Sequence, residues 1–342
     1  MTQYITIDGS MGEGGGQVLR TSIALSMTTG KSCRIVKIRA GRKQPGLLRQ
    51  HLTALKAAAE ICRAGLAGAD IGSRQITFEP GEVVSGHYHF SVGTAGSTTL
   101  VLQTILPALM TAPAPSHIVL EGGTHNPYAP PFEFIEKSFL PVLKKMGPEV
   151  TCRLERPGFY PAGGGRLTVT VNPSSRIAKI HLLERGKICR RECRAVVARL
   201  PRSIGERETK VVCEGLGWGA ENGRTELWSE SPGPGNILLV EVESENVTEV
   251  FAGFGSRGIR AEDVAGGTVK QVRRYLEAGV PVGHYLADQL LLPMALAGGG
   301  SFRTLSTSLH TTTNIEVIKR FLDIEIEWRR AAEDVVDIVV GS

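Results

Sequence analysis

The sequence predicts an α/β (α+β) fold of three repeated units, each a small β-sheet with two α-helices, packed around a common helical core, with a small α/β domain inserted in the third unit. Three observations predict it. The order strand, helix, strand, helix, paired strands recurs with a period of about 85 residues. The recurring helices are more apolar than surface helices, which fits burial between units. Residues 185–277 interrupt the third copy between its first strand and first helix. The predicted large domain therefore comprises residues 1–184 and 278–342, with units near 4–86, 87–176, and 177–184 joined to 278–340.

The first unit opens with the alternating strand "YITIDG", turns through "SMGEGGGQ" and enters the helix "VLRTSIALSM". The strand "CRIVKIRAG" and the helix "PGLLRQHLTALKAAAEICRAG" follow, with Pro45 suited to a first helical turn. In the second unit the corresponding segments are "YHFSVG", "TTLVLQTILPALM", "HIVLEGG" and "PPFEFIEKSFLPVLKKMG", then "VTCRLER" and "GRLTVTVN". The third starts at "IAKIHLLERG" and resumes with "HYLADQLLLPMALAGGG" and "SFRTLSTS". There Thr313 and Glu316 form an S/T-x-x-E capping box that predicts a helix from Asn314. His310 would then lie on the turn before that helix. The insert carries the helix "GERETKVVCEGL", the strand "NILLVEVES" and the closing helix "GTVKQVRRYLEAG".

Composition narrows the class. Lys and Arg number 39 against 34 Asp and Glu, a net charge of +5 that suits phosphate-bearing partners without the strong excess of a dedicated nucleic-acid binder. Six dispersed cysteines read as reduced thiols, and Cys189 with Cys193 lack the second ligand pair a zinc site needs. No apolar run reaches the length of a membrane span and the N-terminus reads as a strand, so the expected setting is the cytoplasm.

The chemistry-bearing residues gather at turns into helices. Backbone N–H groups at the glycine run of residues 12–16 can approach a phosphate, although neither the Walker A nor the dinucleotide spacing is present. Glu13 there can hold a metal ion, and Arg20 can grip phosphate. Arg39, Arg42, Lys43, Arg49 and His51 form the densest cationic stretch, otherwise a solvated basic loop. This stretch, the loop with His125 and the turn with His310 occupy the same place in the three units, so units packed around one centre would bring them together. Gln103 interrupts an apolar helix face, and His284, Tyr285 and Asp288 open another apolar helix; each reads either as a local structural residue or as a ligand contact.

The segments "GEGGGQVLRTSIALS", "IRAGRKQPGLLRQH", "TAGSTTLVLQ", "GGTHNPYAPPFEF", "GFYPAGGGR", "HYLADQLLLPMALAG" and "HTTTNIEV" together resemble the RNA 3′-terminal phosphate cyclases, in order and over nearly the whole chain. The resemblance implies an ATP-dependent reaction in which a histidine takes AMP, passes it to an RNA 3′-phosphate, and the 2′-hydroxyl closes a 2′,3′-cyclic phosphate. The family's H-x-x-T-N histidine falls on His310. ATP contacts fall on Gln103, His284, Tyr285, Leu286, Ala287 and Asp288, with Pro130 and Phe134 near the adenine. Arg20, Arg39, Arg42, Gln50 and His51 correspond to positions around the phosphates and RNA, and Glu13 to one for Mg2+ or Mn2+. The implied partner is RNA with a 3′-terminal phosphate, with no membrane and with a homodimer among the allowed assemblies. Two alternatives share the architecture: a non-catalytic rRNA-processing scaffold and an enolpyruvyl transferase. A lysine-based ligase would need a K-x-D-G motif, which is absent.

Overall fold

The computed structural model describes residues 3–341. The first unit comprises β1 (Ile5–Asp8), α1 (Gly16–Thr29), β2 (Cys33–Val36), α2 (Arg49–Ile61), β3 (Gly65–Ala67) and β4 (Ile76–Glu79). The second runs β5 (His87–Ser91), α3 (Thr98–Leu109), β6 (Ser116–Gly122), α4 (Phe132–Phe134), a π-turn over Ile135–Phe139, α5 (Leu140–Lys145), β7 (Glu149–Arg156) and β8 (Gly165–Asn172). After β9 (Ile180–Leu182) come β10 (Ile188–Ala198), α6 (Ser203–Leu216), β11 (Gly223–Leu227), β12 (Gly235–Ser244), β13 (Thr248–Phe254) and α7 (Ala261–Ala278). The chain then returns with α8 (His284–Leu296), β14 (Gly300–Leu305), α9 (Leu309–Phe321), β15 (Ile326–Ala332) and β16 (Val335–Val340).

The repeat is borne out by topology. The sheets run β1-β2-β4-β3, β5-β6-β8-β7 and β9-β14-β16-β15. In each, the first pair is parallel and the other two pairings are antiparallel. A parallel pair requires a crossover, and α1, α3 and α8 each fall within it. Segments 188–254 build a fourth sheet with a different order, β11-β10-β12-β13.

The helices form the common core: α1 packs on α2, α3 and α9, α2 on α3, and α8 on α9. Their sequences allow this because apolar residues occupy more than one face. In α1, Val18, Leu19, Ile23 and Leu25 are all buried, and Gly30 ends the helix in a left-handed conformation that donates its N–H to Ser26 O. In α3, Ser97 Oγ caps the start by accepting the Leu100 N–H at 3.2 Å. A second hydrophobic cluster around Val212, Val240, Val272 and Tyr275 fills the inserted sheet and reaches Leu305 and Val335 of the third unit.

Two local expectations are corrected. The helix carrying His310 begins at Leu309, not Asn314. Ser308 is its cap, with Oγ accepting the Thr311 N–H at 2.9 Å. Thr313 instead donates to Leu309 O and accepts the Glu13 N–H at 3.0 Å, a tertiary use that outcompetes the capping box. Likewise β2 stops at Val36 and α2 starts only at Arg49, so Pro45 lies outside the helix. Lys37 and Arg39 take positive φ, and Arg39 Nη1 donates to Gln44 O and Gly46 O, which holds the intervening segment as an irregular loop.

Phe302 in β14 is fully buried, so Phe302→Ala should remove about 3–5 kcal/mol of stability, seen as a lower urea midpoint with an unchanged denaturant slope.

Candidate active site

The glycine run packs its backbone against the first turn of α9. Gly12 has φ +56°, and a Cβ there would fall 1.9 Å from Thr313 Oγ1. Only glycine permits that approach. It brings the start of α1 beside the start of α9, so Gln17 meets His310 from 293 residues away along the chain.

The His310–Gln17 contact fixes the imidazole. His310 Nδ1 lies 2.6 Å from Gln17 Oε1. An amide oxygen can only accept, so Nδ1 carries the proton and donates it, leaving the lone pair on Nε2. Gln17 is itself buried and His310 is exposed, so the ring is anchored on one edge and open on the other. The second and third turns of constraint come from α8 and α1. Thr311 Oγ1 donates to Asp288 Oδ1 at 2.5 Å, Asn314 Nδ2 donates to Asp288 O at 3.0 Å, and Thr21 Oγ1 donates to Asn314 Oδ1 at 2.8 Å. Burial pushes the Asp288 carboxyl up to about 7, with the Glu13 charge adding to the rise and the hydroxyls of Thr311 and Ser308 opposing it.

Cations surround this corner. Arg42 pairs with the Glu13 carboxylate and donates to Glu13 O at 2.7 Å. Arg20 Nε donates to Gln103 Oε1 at 3.0 Å, joining α1 to α3, and burial lowers its pKa to about 10. Arg39 is lowered by burial and then by the like charge of Arg42. His51 Nδ1 accepts the Leu48 N–H at 3.1 Å, so its proton sits on Nε2. Burial, then Arg20 and Arg39, push His51 down to about 3, making it a neutral donor. That Nε2 and Arg20 Nη1 both crowd Gly16, where a Cβ would lie 2.6 and 2.8 Å from them. Gln50 Oε1 accepts the Ser97 N–H at 2.7 Å, tying α2 to the cap of α3. Arg20, Arg39 and Arg42 share one nearby carboxylate, that of Glu13, so the cluster is suited to a polyphosphate.

The remaining expected residues are distributed around this cluster. Arg20, Gln103, Asp288 and Asn314 line a small cleft, about 30 Å³ in volume, between α1, α3, α8 and α9. Tyr285 is exposed and its ring meets His284 edge-on at 5.3 Å, whereas Leu286 and Ala287 are buried behind them. Burial lowers the His284 pKa, assisted by the charges of Arg274 and His310. Pro130 is partly buried, with its carbonyl accepting from Thr99 Oγ1, while Phe134 is 2% exposed and belongs to the hydrophobic core. The second unit's loop reaches the start of α3, where Asn126 Nδ2 donates to Ala95 O, but its histidine does not face the cluster. His125 is buried, bonded through Nε2 to Glu133 at 2.9 Å, and Glu133 pairs with Arg194 of the inserted sheet. That histidine serves the contact with the insert.

Sequence reasoning missed Gln17, Thr21 and Thr311. Gln17 and Thr21 are polar interruptions in an otherwise apolar helix, the same signal that singled out Gln103. Thr311 gave no separate signal within the run of three threonines. Among the described residues no cluster of three or more His, Cys, Asp or Glu gathers that would cage a metal. Glu13 alone supplies one carboxylate, a set that fits an ion taking its other oxygens from phosphates and water.

A family model described as RNA 3′-terminal phosphate cyclase matches residues 11–328. The chain belongs to this family. A protein of Koribacter versatilis named RNA 3′-terminal phosphate cyclase is 51% identical over 94% of this chain and 91% of its own length. A protein of the same name from Pseudomonas fluorescens is 50% identical over 98% of this chain and 97% of its own length. One from Ralstonia nicotianae is 49% identical over 94% and 92%. The matched span contains Glu13, the arginines, Asp288 and His310.

The raised carboxyl of Asp288 gives a signed prediction. The folded chain holds a proton that the unfolded chain releases between the ordinary 3.8 and about 7, so this group's contribution to stability falls as pH rises through that window and is flat above it. Asp288→Asn does not titrate, so its melting temperature relative to the parent should rise between pH 4.5 and pH 8. Parallel melting curves across that range check this.

Proposed function

We propose that His310 is the nucleophile of the family's reaction, the ATP-dependent cyclisation of an RNA 3′-terminal phosphate. The observation that carries this is the Nδ1 contact to Gln17, which leaves Nε2 unprotonated and outward-facing. In the first step Nε2 attacks the α-phosphorus of ATP; a P–N bond forms and the bond to the β-phosphate oxygen breaks, releasing pyrophosphate. The ring gains positive charge as it reacts, so its hydrogen bond to Gln17 strengthens in the transition state. In the second step an oxygen of the RNA 3′-phosphate attacks the same phosphorus, breaking the P–N bond and restoring His310. In the third, the neighbouring 2′-hydroxyl loses its proton and attacks the RNA phosphorus, AMP leaves, and the 2′,3′-cyclic phosphate closes. The last step gains most from proximity, since nucleophile and phosphate share one ribose.

The surrounding residues follow as binding groups. Arg20, Arg39 and Arg42, with neutral His51 as a donor, face the phosphates; Gln50 holds the wall they stand on; Gln103, Asp288 and Tyr285 flank the nucleotide, near Pro130. Leu286, Ala287 and Phe134 support that wall from the interior. Glu13 is the residue that would hold Mg2+ or Mn2+, which supplies charge neutralisation to the phosphates when bound. The same reading takes residues 1–184 with 278–342 as the catalytic body and 185–277 as an inserted unit, supported by the different strand order of the fourth sheet. No helix among the described residues is long and apolar enough to cross a membrane. A cytoplasmic setting and a homodimer complete the reading, the latter open to sedimentation.

His310→Ala should lower cyclisation by about a thousandfold or more while leaving the melting curve near that of the parent, because the ring is exposed. RNA ending in a 2′-deoxy 3′-phosphate should stop at the adenylated strand. Cyclase activity retained by His310→Ala would place the nucleophile elsewhere.

A further inference from the structure

The segment between β9 and α8 does more than decorate the surface, because one of its side chains caps the start of α8 and another braces the lead-in to α9 through Asp334. Glu249 of β13 is 2% exposed, and its Oε1 accepts the Gly283 N–H at 2.5 Å. Gly283 is the cap of α8, immediately before His284. A Cβ at Gly283 would lie 2.8 Å from Glu249 Oε1, so the glycine admits the carboxyl. Burial pushes Glu249 up to about 8, opposed only by the Gly283 and Val250 amides, so it sits there as a neutral acid at pH 7. From α7, Arg274 grips Asp334 with two bonds of 2.5 Å, and Asp334 O accepts the Ser306 N–H at 3.1 Å. Ser306 stands two residues before the cap of α9, which carries His310 in its first turn. The two lead-ins are also pinned to each other: Val282 bridges Thr304, and its N–H donates to Arg303 O at 3.2 Å.

We propose that the inserted segment sets the geometry of adenylation, with Glu249 and Arg274 as positioning residues for the starts of α8 and α9. The proposal rests on the reading of His310 as the residue that takes AMP. The two anchors act on different halves of the site. Glu249 holds the helix bearing His284, Tyr285 and Asp288, so its loss should act on nucleotide binding. Arg274 holds the lead-in to the nucleophile, so its loss should act on the rate with ATP bound. Displacements of an ångström at such sites are enough for rate losses of about a hundredfold.

The test is single-turnover self-adenylation with α-labelled ATP and magnesium, without RNA, on the full chain and on Glu249→Gln, Glu249→Ala and Arg274→Ala. Glu249→Gln keeps an acceptor oxygen for Gly283 and should match the parent. Glu249→Ala should raise the ATP concentration for half-maximal rate by about tenfold, and Arg274→Ala should lower the saturating rate by about tenfold with little change in that concentration. Folded alanine variants that melt earlier but keep both parameters would overturn the proposal, reducing the insert to a passive support. If Glu249→Ala does not fold, Arg274→Ala decides alone, since its ion pair is half-exposed. A parent protein that takes no label would instead sink the His310 reading.

Discussion

The site depends on one close approach, that of the glycine loop to the first turn of α9. Any side chain at Gly12 would collide with Thr313. Without that collapse Glu13 could not donate its N–H to Thr313, and Gln17 could not reach His310. The first unit supplies Gln17 and the third His310, so neither unit alone holds the pair. The second supplies Gln103 and the Ser97 cap, which complete the wall through Arg20 and Gln50. A threefold repeat thus becomes a single asymmetric site because each unit places different side chains at its equivalent helix start.

Electrostatics follow from this packing. Burial depresses Arg20, Arg39 and His51, like charges add to the fall at Arg39 and His51, and the carboxylate of Glu13 among them is already paired with Arg42. A corner so arranged has the charge to suit an incoming polyphosphate. Asp288 sits at the opposite edge, raised by burial and stitched to α9 through Thr311 and Asn314. Its role in the packing is to lock α8 onto the helix that carries His310.

Much of this was legible beforehand. The repeat could be read because strand and helix periods differ and glycine turns mark each start. His310, the arginines and Gln103 stood out as polar residues at turns or on apolar faces. The start of α9 was misread because the local capping box of Thr313 and Glu316 lost to a tertiary bond with Glu13, which no local pattern encodes. The irregular path of residues 37–48 was likewise hidden: it depends on positive φ at two non-glycine residues and on Arg39 bonding two carbonyls. His125 looked equivalent to His310 by position, yet its partner Glu133 answers to Arg194 of the insert, a contact invisible to the period.

The most direct measurement incubates the pure protein with α-labelled ATP and a divalent ion, without RNA, then digests it and locates the label. The account predicts label on the peptide containing His310, lost in acid and stable in alkali, as a phosphoramidate behaves. Label on another residue, or none on a folded protein, would contradict it.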